Sequence, residues 1–152
     1  MTTPSLDQVP VRSAAELTRR WAEVLDPPVF AARSLWLLWL GDDSRMLPVV
    51  VPVDDVPPVP DLPTLHGLRD LHGTVTGHCA GPAHLAMALC RPGHGAVTAR
   101  DDEWAAGLAA VLDGIDGTWS LHLAAGGRVV PLVDAPEETW PEETWPEETW
   151  RR

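Results

Sequence analysis

The 152-residue chain predicts a mixed α/β domain, on three observations. Two short apolar runs, Ser34 to Leu40 (SLWLLWL) and His84 to Cys90 (HLAMALC), show no polar alternation, as expected of strands covered on both faces. Leu and Trp recur at helical spacing in three other segments. Two turn signals, Gly41-Asp42-Asp43-Ser44 and Ala125-Gly126-Gly127, each sit between apolar runs and mark hairpins. The resulting order is helix, strand, strand, helix, strand, helix, strand, strand: one mixed sheet with flanking helices. This single domain covers residues 13–135, between an N-terminal arm at 1–12 and a C-terminal tail at 136–152.

In chain order, Ser13-Ala14-Ala15-Glu16 is a capping-box pattern in which Ser13 accepts from the first turn and Glu16 reaches back to the Ser13 amide. Leu17, Trp21, Val24 and Leu25 then share a helix face until Asp26-Pro27-Pro28 ends the run. The first hairpin joins Ser34–Leu40 to Met46–Val53, and Pro48 and Pro52 place the second of these strands at an edge or a bulge. A proline-rich connection follows from Asp54 to Pro63, then a helix on Leu65, Leu68 and Leu71 that Gly67 and Gly73 weaken. His84–Cys90 is the central strand. Thr98-Ala99-Arg100-Asp101 offers a second capping box, and Trp104, Leu108, Val111, Leu112 and Ile115 form the clearest apolar stripe in the chain. Thr118–Ala124 and Arg128–Val133 make the closing hairpin. Trp36, Trp39 and Trp104 read as core or sheet-face residues.

Composition excludes several functions. The formal charge is -11 and there is no lysine, so the clustered cations that displace phosphate counterions are missing and nucleic acid is not an expected partner. The longest apolar run, Leu35 to Leu40, is too short to cross a bilayer, and Met1 to Ser13 has no signal-peptide core. Two cysteines, Cys79 and Cys90, match no paired zinc pattern and fit a reduced chain. The expectation is a cytoplasmic protein without membrane contact.

The loop after the central strand, Arg91-Pro92-Gly93-His94-Gly95, is the natural place for a site. It lacks the glycine patterns of a phosphate loop. Taken with the order of elements, residues 34–133 resemble the JAB/MPN metalloprotease-like fold, especially its RadC-type branch. That family binds one zinc through H-x-H-P, six residues, then S-x-x-D. Laid on this chain without a gap, the two His positions fall on Leu89 and Arg91, the proline on Pro92, the serine on Ala99 and the aspartate on Asp102. The family's upstream general-base glutamate has no counterpart, because no glutamate occurs between Glu23 and Glu103. Catalytic zinc needs about three protein ligands. The resemblance therefore implies a degenerate relative with the metal ligands lost, and the expected cofactor is none.

Other residues offer alternative chemistry. His66, His72, His78, Cys79, His84, Cys90 and His94 lie close in sequence, and His84, His94 and Asp102 form the alternative metal set, for zinc in a metal-binding protein or metal-dependent hydrolase. Against it, the spacing fits no short motif and Cys90 reads as a small buried hydrophobe. Cys79 reads as a thiol near a turn rather than a nucleophile. Arg91 has two readings: a planar fork on a carboxylate, either Asp102 across the loop or an acidic partner, or a solvated arginine at a strand end.

The tail repeats Pro-Glu-Glu-Thr-Trp three times from Pro136 to Trp150. Proline every fifth residue blocks a continuous helix, so disorder is expected. Trp140, Trp145 and Trp150 read as anchors of a multivalent docking tail, with DNA slippage as the bland account of the copy number. The functional expectation is a non-catalytic interaction or regulatory module, binding a protein partner through Arg91, Asp102 or the tail tryptophans. Pairing of the Met46–Val53 edge with a second copy would make it a homodimer.

Overall fold

A computed structural model describes residues 9–79, 81–115 and 117–141. Its elements are α1 (Ala14–Val24), β1 (Ser34–Leu40), β2 (Met46–Asp54), α2 (Leu62–Thr76), β3 (His84–Cys90), α3 (Ala99–Leu112), β4 (Thr118–Ala125) and β5 (Arg128–Val133). The five strands form one sheet in the order β2-β1-β3-β4-β5. β3 and β4 are parallel, and the other three pairings are antiparallel. The mixed α/β class and the order of elements are those the sequence predicts.

Alternation along each strand sorts side chains between two apolar layers. On one face Leu35, Leu37, Trp39, Leu85, Met87, Leu89 and Leu121 pack under α2 and α3, which contribute Leu65, Leu68, Trp104, Leu108 and Leu112. On the other, Leu38, Leu40, Ala86, Ala88, Cys90 and Ala124 pack under α1 through Leu17, Trp21 and Leu25. β1 and β3, in the middle, are buried almost throughout, whereas β2 lies at the edge as its prolines require. On the α2–α3 side, Trp39 Nε1 donates to His72 Nδ1 (3.1 Å) and Trp104 Nε1 to the Pro57 carbonyl (3.1 Å), whereas the buried Trp21 Nε1 under α1 has no partner among the described residues.

Local details depart from expectation in three places. At α1, Ser13 Oγ accepts from the Glu16 amide (3.2 Å), but Glu16 Oε2 accepts from the Arg12 amide (2.6 Å) rather than from Ser13, so the box closes one residue earlier. Arg12 and Val11 are thereby tied to the body: Val11 is buried and its amide donates to Ser44 O (2.7 Å). Val11 and Arg12, expected in the arm over 1–12, are thus held against the body, and residues 1–8 lie outside the described residues. Helix α2 runs on to Thr76, past Gly73, because Leu71 and Val75 find partners in the core; packing outweighs the roughly 1 kcal/mol cost of a helical glycine.

Candidate functional site

The two ends of the parallel pair β3–β4 hold the polar groups that could support a function. The carboxyl end carries the loop singled out in sequence. Thr98 caps α3 with its side chain on the Asp101 amide (3.3 Å), and Asp101 Oδ2 returns the bond to the Thr98 amide (2.8 Å), completing the predicted capping box. Asp101, fully buried, also takes the two-pronged approach of Arg91, with Nε to Oδ1 at 2.8 Å and Nη2 to Oδ2 at 2.9 Å. The rest of the guanidinium donates to the carbonyls of Pro92 (3.1 Å), His94 (2.8 Å) and Ala96 (2.8 Å). All five donors of Arg91 are used, and its side chain is only 4% exposed.

This corrects the expected partner of Arg91. The carboxylate is Asp101, and Asp102 is exposed on the outer face of α3. A helix turns about 100° per residue, so the two neighbours cannot both face the loop. The solvated-arginine reading fails as well. Burial pushes the Asp101 carboxyl up, but the bonds from Arg91 and the Thr98 amide outweigh it and hold the group below its ordinary range.

The loop is also closed from outside. Gly126, at φ +58° in the β4–β5 turn, stands so close that an added Cβ would lie 2.7 Å from Gly95 N, and one on Gly95 would lie 2.8 Å from Ala125 O. Open α/β sheets usually place ligands at the carboxyl ends of parallel strands. Here that crevice is filled by the chain's own guanidinium and backbone.

The amino end of the pair is different. His84 and Thr118 are register partners, and His84 Nδ1 lies 2.7 Å from Thr118 Oγ1, while Nε2 lies 2.8 Å from Ser120 Oγ. Thr139 Oγ1 donates to Thr118 Oγ1 (3.2 Å). Thr118's own proton then goes to Nδ1, which leaves Nε2–H to donate to Ser120, a tautomer assigned from the network. Further along β4, His122 Nε2 meets Thr18 Oγ1 (2.8 Å), and its Nδ1 has no partner among the described residues. Burial, with the charges of His122 and His72 adding to it, brings His84 from 6.5 down to about 4. Burial brings His122 to about 4 as well, against a smaller upward pull from Asp134. Both imidazoles are neutral at pH 7.

The tail reaches this end. Residues Glu137–Thr139 form one 3₁₀ turn, with the Trp140 amide on Glu137 O (3.1 Å), and Trp140 packs against the α1-side layer with its ring centroid 6.1 Å from that of His84. Disorder from Pro136 onward is therefore corrected for the first repeat: a proline every fifth residue forbids a long helix but leaves room for one tight turn. Trp145 and Trp150 lie outside the described residues. Beside Thr139 a cavity of about 460 Å³ is lined by Asp42, Ser44, Pro82, His84 and Thr118. A neighbouring one of about 530 Å³ is lined by Asp42, Leu47, Val49, Val75 and Cys79.

The alternative metal set is not brought together. His84 begins β3, and His94 and Asp102 follow its other end, exposed. Seven strand residues separate the ends by about 20 Å, and both His84 nitrogens already have hydroxyl partners. Among the described residues no group of three His, Cys, Asp or Glu side chains is placed to hold a metal ion. Cys90 is buried, its thiol pushed up to about 12 by desolvation against a weaker opposing bond from Ser34. Cys79 is half-buried with its thiol on Val75 O (3.4 Å).

Sequence reasoning missed Asp101 as Arg91's partner and missed the His84–Thr118–Ser120 cluster. The second had a signal: Ser120 and His122 alternate within an otherwise apolar strand, the period that puts both on one face. No helix among the described residues is long and apolar enough to cross a membrane. No protein-family model, no curated protein and no solved structure matches the chain.

Proposed function

We propose that this chain is a non-catalytic interaction module, a degenerate relative of the JAB/MPN-like fold, that works in the cytoplasm by engaging a protein partner through its Pro-Glu-Glu-Thr-Trp tail. The observation that carries the reading is the full commitment of Arg91. It stands where the resemblance places a zinc-ligating histidine, and its five donors hold the strand-to-helix loop together instead of facing a ligand. The matched Asp102 faces solvent and the matched Leu89 is buried in the α2–α3 layer. What is left to bind is the tail, whose tryptophans are large, rigid anchors of the kind that dominate interfaces. Repetition raises the effective concentration of each anchor once one is engaged.

The test compares the wild type with a full-length variant carrying Trp140→Ala, Trp145→Ala and Trp150→Ala. Partner capture from lysate should be lost in the variant, and metal analysis of the wild type should show no stoichiometric zinc. Capture that survives the three substitutions, or one zinc per chain, overturns the reading.

A further inference from the structure

We infer that the amino end of β3–β4 is a receptor for the Pro-Glu-Glu-Thr-Trp unit itself, and that a second copy of this chain is its partner. The inference rests on the tail being the binding element, and it names what the tail binds. Unit 136–140 is seated by its own repeated side chains: Thr139 bonds Thr118, and Trp140 lies over His84 and the α1-side layer. The exposed Glu137 and Glu138 make no ion pair among the described residues. Units 141–145 and 146–150 repeat the same five residues without a mismatch. Whatever Thr139 and Trp140 satisfy, Thr144 and Trp145, or Thr149 and Trp150, satisfy equally. Each chain thus carries one seat and three ligands for it.

Two consequences follow. Within one chain the units are interchangeable, because seating the second instead of the first lengthens the loop after Val133 from seven residues to twelve, and closure entropy changes occupancy by only about twofold. Between chains, the ligands in excess of the seat fit an open seat on a second copy. A tethered unit competes at an effective concentration of order millimolar, so exchange between copies shows best when one copy's own units are disabled.

The experiment uses full-length protein and a fluorescein-labelled peptide of residues 136–145, read by anisotropy. The variant with Trp140, Trp145 and Trp150 all changed to Ala should bind the peptide at least tenfold more tightly than the wild type. Trp140→Ala alone should stay within about twofold of the wild type, because Trp145 replaces the lost ring. Adding Thr118→Val to the triple variant should cost at least tenfold in peptide affinity while the far-ultraviolet circular dichroism is unchanged; His84→Gln serves as a second seat variant if Thr118→Val fails to fold. In sedimentation, the triple variant should be monomeric alone and, with the wild type in excess, should move into a complex of one copy of each. Absence of peptide binding to the triple variant, a Trp140→Ala variant as open as the triple one, or a triple variant that dimerises by itself would each overturn the inference. If peptide binding fails while tail-dependent capture from lysate persists, this inference falls and the wider reading of the tail stands.

Discussion

At the carboxyl end of β3 and β4 a buried cation meets a buried carboxylate, while at the amino end a buried imidazole is kept neutral between two hydroxyls. Both ends are polar and largely desolvated, yet they differ in what they leave available. The Arg91–Asp101 end consumes every donor it has and is sealed by the Gly95–Gly126 approach. The His84–Thr118 end sits beside a cavity of about 460 Å³ and holds a segment from outside the sheet, the first tail repeat. Charge pairing of the first kind fixes geometry, because a buried charge without its partner is costly. Neutral hydroxyl and imidazole pairing is cheaper to rearrange and better suited to a ligand that comes and goes.

The contrast can be broken at four places. Arg91→Ala should have the largest effect: it strands the Asp101 carboxylate, and chemical denaturation should show a loss of about 3–5 kcal/mol. Arg91→Lys should recover little of it, since an ammonium cannot make the two-pronged contact or reach three carbonyls together. The second place is the response to acid at the other end. His84 falls from 6.5 to about 4 on folding, so the unfolded chain binds the proton first. Stability is complete above about pH 6.5 and declines as pH drops toward 4, by on the order of 3 kcal/mol from this group. His84→Gln should remove that share of the slope in denaturation curves taken at pH 7, 6, 5 and 4. Asp101, held low, adds its loss only below the ordinary carboxylate range, as pH falls through its folded value.

Third, Gly117→Ala should cost about 1–3 kcal/mol by thermal melting, because Gly117 has φ +93° and an added Cβ would lie 2.3 Å from Ala83 O, where β4 begins beside β3. The smallest effect belongs to Asp102→Ala. Exposed and unpaired with Arg91, it should change stability by less than about 0.5 kcal/mol, and a larger loss would mean that the loop's carboxylate had been misassigned.

Much of the fold was legible because strands and caps depend on local rules. β1, β3 and β5 run over the residues their apolar content and flanking turns indicate, and Thr98 with Asp101 is a capping box in sequence and structure alike. The edge position of β2 follows from Pro48 and Pro52. What was not legible depends on phase and on distant contacts. Whether Asp101 or Asp102 meets Arg91 is a matter of one 100° step on α3, which only the packing of Trp104 and Leu108 into the core decides. The extent of α2 needed the partners of Leu71 and Val75. The seat needed His84 and Thr118, 34 residues apart, to be aligned by a parallel pairing that sequence alone does not register.

Amide NMR of the full-length chain, wild type against the variant with Trp140, Trp145 and Trp150 changed to Ala, compares the two ends most directly. The account predicts shifts concentrated on His84, Thr118, Ser120 and the Gly41–Ser44 turn, with Arg91 to Thr98 unmoved. Shifts centred on the Arg91 loop, or none beyond the tail itself, would contradict it.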